Sequence, residues 1–257
     1  MTSNWTTKPA MVLLLLTTVA CGKQPTIDYK KITVEREMSL TDAKDSPRCE
    51  INLQLHQATG KHAANINQTI VNRLFDAEEG ELNTVAQAFA DHYTENYRKD
   101  MEPLYQDDRA VKERHRWYEY RYNVTTEVRH TRKGVSTYLI NTDYYEGGAH
   151  GVKQLEVLNF DVSTGKLLTL DDFFVSGYQS QLSQLLLQAL LKKTESKNLD
   201  ELHDKGYLYS MDMFATVNYL PGDDDIVFVY NPYEIAPFDA GQIELTLDID
   251  DLKEIMK

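Results

Sequence analysis

Cysteine is nearly absent. The 257 residues hold two, Cys21 and Cys49, so a scaffold held together by several disulfides is excluded. Histidine is sparse as well, at positions 56, 62, 92, 115, 130, 150 and 203. No two of these are three or four apart, and helical zinc motifs need two imidazoles one turn apart. Positive charge is also short, with 27 Lys and Arg against 40 Asp and Glu, for a net charge of −13. The densest basic stretch, Val111–Trp117 (VKERHRW), is short and contains an acid, so no nucleic-acid partner is expected. There is no GxSxG, and Lys166 lacks the upstream glycines of a phosphate loop. No catalytic signature, cofactor motif or metal site is therefore expected.

Long apolar runs are confined to the N-terminus. Lys8 precedes Met11–Ala20 (MVLLLLTTVA), and Cys21 follows. A charged start, a short apolar core and a small residue before the cysteine read as a secretory signal peptide over residues 1–20. The run is too short to cross a hydrocarbon core of about 30 Å. Thr18-Val19-Ala20-Cys21 resembles a bacterial lipobox, with threonine where leucine is usual. The expectation is a diacylated Cys21 at the mature N-terminus, anchoring the chain to a membrane in the cell envelope. Cys49 then has no partner. It opens an alternating apolar run, which predicts a buried thiol.

With 42% hydrophobic residues over its full length, the chain can build a sizeable core. Polar residues 22–28 read as a tether. Strands are predicted at Tyr29–Leu40 and Cys49–His56, where Ile51, Leu53 and Leu55 alternate with polar residues. Helices are predicted at Ala63–Phe75 and Leu82–Tyr97 from 3–4 apolar spacing. After Arg116 the period becomes two: Tyr118, Tyr120, Tyr122, Val124, Thr126 and Val128 share one face, and charged and polar residues take the other. Strands Val135–Tyr145 and Val152–Val162 follow, then a helix at Gln179–Lys193. Three further strands are expected at Met213–Leu220, Asp225–Tyr230 and Gln242–Ile249. The fold class is α+β, with antiparallel meander sheets packed against about three helices and no parallel βαβ repeat. The 16 tyrosines fit half-exposed strands, or a binding surface that uses ring area and hydroxyl together.

Several motifs are weaker than they look. Ser163-x-x-Lys166 serves acyl transfer only at a helix start, and here it falls in a turn between two strands. Gly222–Ile226 (GDDDI) lacks the alternating ligand spacing of calcium loops and reads as a hairpin turn. In Leu170–Phe174 (LDDFF) the aspartates cap a helical turn and the phenylalanines enter the core. Glu146–Gly151 (EGGAHG) reads as a hairpin connection, with His150 at its far end.

Three motifs in order point to a family. CEINLQL with NINQTIVNRLF opens the series. TDYYEGGAHG and LNFDVSTGKLLTLDDFF form its middle, and Phe228–Leu252 (FVYNPYEIAPFDAGQIELTLDIDDL) closes it. Together they resemble a module of bacterial envelope proteins. It is shared by RsiV-like anti-sigma factors that sense lysozyme and by the non-catalytic N-terminal region of PdaC-type peptidoglycan deacetylases. The resemblance covers roughly Cys49 to Leu252 and is greatest with Bacteroides-type lipoproteins. It implies an extracytoplasmic address, no catalytic residues, and two abutting subdomains. These are a PdaC-like one over residues 49–155 and an RsiV-like one over 156–257, preceded by a lipidated N-terminus, tether and first strand at 21–48. The expected function is binding or sensing of a lysozyme-like protein or a cell-wall glycan. The candidate contacts are Tyr145, Glu146 and His150 in the glycine loop with Tyr233, Glu234, Pro237 and Phe238 in NPYEIAPF. The alternatives are a cell-wall hydrolase or esterase using His150 with Asp143 or Glu146, and a purely structural envelope lipoprotein.

Overall fold

The computed structural model describes residues 26–257, so the expected leader and Cys21 lie outside the described residues. The fold begins with a long hairpin. Strand β1 (Asp28–Ser39) pairs antiparallel along its whole length with β2 (Arg48–Thr59). Ile51, Leu53 and Leu55 of β2 are buried, as their alternation predicts, and Cys49 is fully buried beside them.

Two helices follow. α1 (Ala63–Phe75) has the bounds its spacing predicts and buries Ile66, Ile70 and Val71. α2 (Leu82–Asp108) runs well past the expected end at Tyr97. Beyond that residue Met101 and Tyr105 keep the fourfold spacing on the packed face, past Pro103, and Tyr105 packs edge-on against Tyr118 at 5.2 Å between ring centroids. These contacts hold the last turns in place.

The helices return the chain so that β3 (Tyr120–Arg129) lies parallel to β2. The expected antiparallel arrangement is interrupted at this one pair. A parallel pair needs a connection of a dozen or more residues, and α1 and α2 together form it. The strands that follow form an antiparallel meander: β4 (Val135–Glu146), β5 (Val152–Asp161) and the short β6 (Leu167–Leu168). The six-stranded sheet has the order β1-β2-β3-β4-β5-β6. Both helices cover one of its faces, where Phe89 and Tyr93 of α2 meet Tyr122 of β3 at 5.5 and 5.2 Å. The tyrosine stripe of β3 is thus an interface with the helix layer.

The remaining chain builds a second, smaller body. It comprises α3 (Leu170–Phe173), α4 (Gln179–Lys193), α5 (Leu199–Asp204), strands β7 (Tyr219–Pro221), β8 (Asp225–Tyr230) and β9 (Ile243–Asp248), and α6 (Ile249–Leu252). The strands form an antiparallel sheet in the order β7-β8-β9. Leu182, Leu186 and Leu190 of α4 share a core with Phe228, Tyr230 and Leu245. In LDDFF, Asp172 accepts the Thr169 backbone N–H at 2.9 Å, and Phe173 and Phe174 are buried. Lys166 reaches Asp172, while Ser163 hydrogen-bonds Asp161 within the turn, so the Ser-x-x-Lys spacing belongs to a turn. The strand expected at Met213–Leu220 is shorter, because Thr216 Oγ1 takes the Asn218 N–H at 3.1 Å and bends the chain before β7. The architecture is α+β, as expected. The expected boundary at 155/156 falls inside β5, which belongs wholly to the larger sheet, and the two sheets separate along the chain after Leu168.

The second sheet rests on the other face of the first. Val229 of β8 packs with Leu139 of β4 and with Leu155 and Val157 of β5. It covers the β4–β5 part of that face and leaves the polar side chains of β2 and β3 open to a cleft.

Candidate functional site

The register of the large sheet builds the floor of this cleft. Residues of β3 alternate: Tyr122 and Val124 point to the helices, so Arg121, Asn123 and Thr125 point the other way. Asn123 pairs with Asn52 on β2 and with Asp143 on β4, and Asp143 pairs with Lys153 on β5. One polar row therefore crosses four strands. Thr125 and Asn141 pair in the next row. The cleft has a volume of about 1010 Å³. The segment after β8 supplies the opposite wall, with Pro232, Phe238 and Gln242, and His150 and Gly151 form its lip.

Two asparagines fix that wall. Asn231 Oδ1 accepts the Leu155 backbone N–H at 2.8 Å, and its Nδ2 donates to the Leu155 carbonyl at 3.0 Å. Asn218 Oδ1 accepts the Val157 N–H at 3.1 Å. These side chains pair with the free edge of β5 as another strand would. Glu234 accepts the Asn231 N–H at 3.0 Å, and Tyr233 takes a φ of 72° in the turn between them. The chain then rises to Phe238.

The glycine loop meets it there. The His150 ring lies on Phe238 with centroids 4.0 Å apart and planes at 15°. Tyr233 is on the same aromatic cluster, 5.6 Å from Phe238, and is exposed. Gly147 has a φ of 85°, and a Cβ there would lie 2.5 Å from the Trp117 carbonyl oxygen. This close approach sets where the loop leaves β4.

The seven candidate contacts do not converge as a set. His150 and Phe238 share the cleft, with Tyr233 behind them. Tyr145 donates its hydroxyl to the Gly148 carbonyl at 2.9 Å, within the loop. Glu146 turns to the helix side, where it accepts the Tyr93 hydroxyl at 2.6 Å. Burial, and then the hydrogen bond to Glu146, raise the Tyr93 hydroxyl well above its ordinary pKa. Glu234 serves its own turn. Pro237 lies by Gly206, where an added Cβ would come within 3.2 Å of the proline ring. Asp143, weighed as a partner for His150, instead lies 3.4 Å from the Arg121 guanidinium and 4.0 Å from Lys153 Nζ. His150 Nδ1 is 3.0 Å from the Gly151 carbonyl oxygen.

The floor residues Asn52, Asn123, Thr125 and Asn141 were missed as site candidates. Their signal was the polar half of the period-two pattern, which reads as ordinary solvent-facing strand until the register aligns it. Asn52 Oδ1 is buried and lacks a hydrogen-bond partner. Among the described residues, no group of three or more His, Cys, Asp or Glu is placed to hold a metal ion. No helix among them is long and apolar enough to cross a membrane. Desolvation, then the charges of Glu146 and Glu50, push the buried Cys49 thiol up to about 12.

Fold and cleft define a two-sheet α+β module with a polar, aromatic-lipped groove between its sheets. Residues 171–250 match the family model described as "Protein of unknown function (DUF3298)". A solved DUF3298 family member from Bacteroides fragilis is 27% identical and superposes with a TM-score of 0.83, over 91% of this chain and 96% of that one. A DUF3298 family protein from Pseudomonas aeruginosa has the same fold at 17% identity and a TM-score of 0.60, over 90% and 95%. Peptidoglycan-N-acetylmuramic acid deacetylase PdaC of Bacillus subtilis is 24% identical over 161 residues, which are 62% of this chain. The match spans 34% of that deacetylase, about a third of its length. Residues 171–250 thus match the DUF3298 model, and the chain is similar over most of its length to a solved member of that family and over 161 residues to PdaC, in line with the resemblance of its motifs.

Proposed function

We propose that this protein is an extracytoplasmic binding lipoprotein of the bacterial envelope, held to a membrane by lipid on Cys21. Its cleft takes up a cell-wall glycan or an exposed segment of a lysozyme-like protein. The observation that carries this reading is the His150–Phe238 stack standing over a floor of amides and hydroxyls. Aromatic faces beside convergent polar groups are the chemistry of a binding groove for polar ligands. The similarity to a deacetylase whose name places it on peptidoglycan supports the same compartment. The net charge of −13 would draw a basic protein partner by long-range steering.

The test uses the full-length protein in detergent, mixed separately with insoluble peptidoglycan and with immobilised lysozyme. Retention by either is expected, with loss in the His150→Ala/Phe238→Ala double variant. Retention by neither would refute the reading. Anchoring is checked apart from binding: Cys21→Ser should move the protein from the membrane fraction to the soluble one and remove the acyl mass.

A further inference from the structure

We propose that the cleft is a track for a linear, uncharged, amide-bearing saccharide chain lying across the strands. This rests on the cleft being the ligand site, and it selects the glycan of the two ligands named above.

The row Asn52, Asn123, Asp143, Lys153 runs at right angles to the strands, because its members are register partners on four neighbours. Adjacent strands lie about 4.8 Å apart, so the row's three steps span about 14 Å. That is longer than one sugar ring and suits an extended oligomer. The row offers donors and acceptors repeatedly along one line, which matches a polymer that repeats hydroxyl and amide groups. Asparagine pairs with an amide in both directions, as Asn231 does with the peptide unit of Leu155 in this same fold. Asn52 and Asn123 can meet an acetamido group in the same way.

The two ends differ. At the β2 end, the Asn52 Oδ1 acceptor is buried without a partner. A buried acceptor left unpaired is unfavourable, and a turn of the Asn52 amide toward the cleft would let a ligand hydroxyl or N–H satisfy it. At the β5 end, the exposed His150 ring, backed by Phe238, presents a flat face of the size of a pyranose. Charge across the cleft sums to zero, with Asp143 between Arg121 and Lys153 on the floor and Asp239 on the opposite wall. A neutral polar chain needs no more charge than that.

The experiment is calorimetric titration of the full-length protein with N-acetylglucosamine oligomers, from the monosaccharide to the hexasaccharide. Affinity is expected to climb to about the tetrasaccharide and then level, because the row has about four positions at strand spacing. Asn123→Ala in mid-track and His150→Ala at its end should each weaken the tetrasaccharide roughly tenfold, the scale of one lost polar or stacking contact. Thr125→Val, at an exposed position in the next row, replaces Asn123→Ala if that variant loses its thermal transition. Equal affinity at every length, absence of binding, or floor variants that bind as wild type would each overturn the track. Retention of lysozyme through His150 and Phe238, with no saccharide binding, would overturn the track and leave the binding-module reading standing. Retention of nothing would remove both.

Discussion

Asn231→Ala tests whether the wall of the cleft is held as described. Asn231 is 8% exposed and makes two hydrogen bonds to the peptide unit of Leu155, itself 8% exposed. Alanine leaves one backbone N–H and one carbonyl on the β5 edge without partners. A buried group left unsatisfied costs about 1–3 kcal/mol, so the pair costs about 2–6 kcal/mol. For a chain of this size each kcal/mol lowers the melting temperature by about 2–4 °C, giving a fall of roughly 4–24 °C. Thermal unfolding followed by circular dichroism reads this directly. Asn231→Asp sharpens the test. Its carboxylate can still accept the Leu155 N–H but faces the Leu155 carbonyl with a negative charge. Its melting temperature should fall at neutral pH and partly recover in acid, where a protonated carboxyl can donate to that carbonyl. An alanine variant that melts within about 1 °C of wild type would show that solvent replaces these bonds at little cost, and the account of the wall would be wrong.

Other outcomes follow from single observations. Gly147→Ala should destabilise the protein clearly more than Gly148→Ala. Both have left-handed φ, but only the first places a Cβ against the Trp117 carbonyl, so the second costs only about 1–2 kcal/mol of backbone strain. Chemical denaturation of the two variants decides this. Cys49 should resist thiol reagents in the native state at mildly alkaline pH and react once denaturant is added, since its thiol is buried and pushed up to about 12. The linked sign is definite. An unfolded thiol releases its proton near 8.5, the folded one holds it, and the folded state binds more protons between these values. Stability should therefore fall as pH rises above about 8.5. The buried hydroxyls of Tyr138, Tyr219 and Tyr230, all raised chiefly by desolvation, add to the fall at higher pH. Denaturant midpoints measured across alkaline pH check it, and a flat profile would contradict the burial of these groups. Tyr93→Phe removes the hydrogen bond to the exposed Glu146 and should cost only about 1 kcal/mol, because solvent can serve the carboxylate.

What could be read ahead of the structure depended on whether the cause was local. α1 and α4 have the expected bounds because their apolar spacing and their ends lie within the helix sequence. The end of α2 was legible in part: Tyr97, Met101 and Tyr105 keep a fourfold spacing, though Pro103 interrupts the stretch. The parallel pairing of β2 with β3 sets Cys49 level with the distant Tyr120, and periodicity carries no record of it. The site divides in the same way. His150 stood out because glycines surround it, and Phe238 because its segment carries a family motif. The asparagines did not, since a polar residue on every second position is what any half-exposed strand shows. Only register turns Asn52, Asn123 and Asp143 into one row. Glu146, close to His150 in sequence, faces the opposite side of the sheet.

The pairing of Asp28 with Thr59 has a consequence for orientation. β2 and β3 run the same way, and Cys49 lies level with Tyr120, which pairs with Glu146 at the base of the glycine loop. The chain therefore enters the sheet at Asp28, at the end opposite that loop. Asn52 is seven residues up β2 from Thr59, about 24 Å at the rise of an extended strand. With Cys21 acylated as proposed, the length of the sheet itself separates the lip from the point where the chain enters. It carries the groove away from the bilayer and turns the His150 lip outward, to a height where a polymer too large to approach the lipid surface can still be gripped.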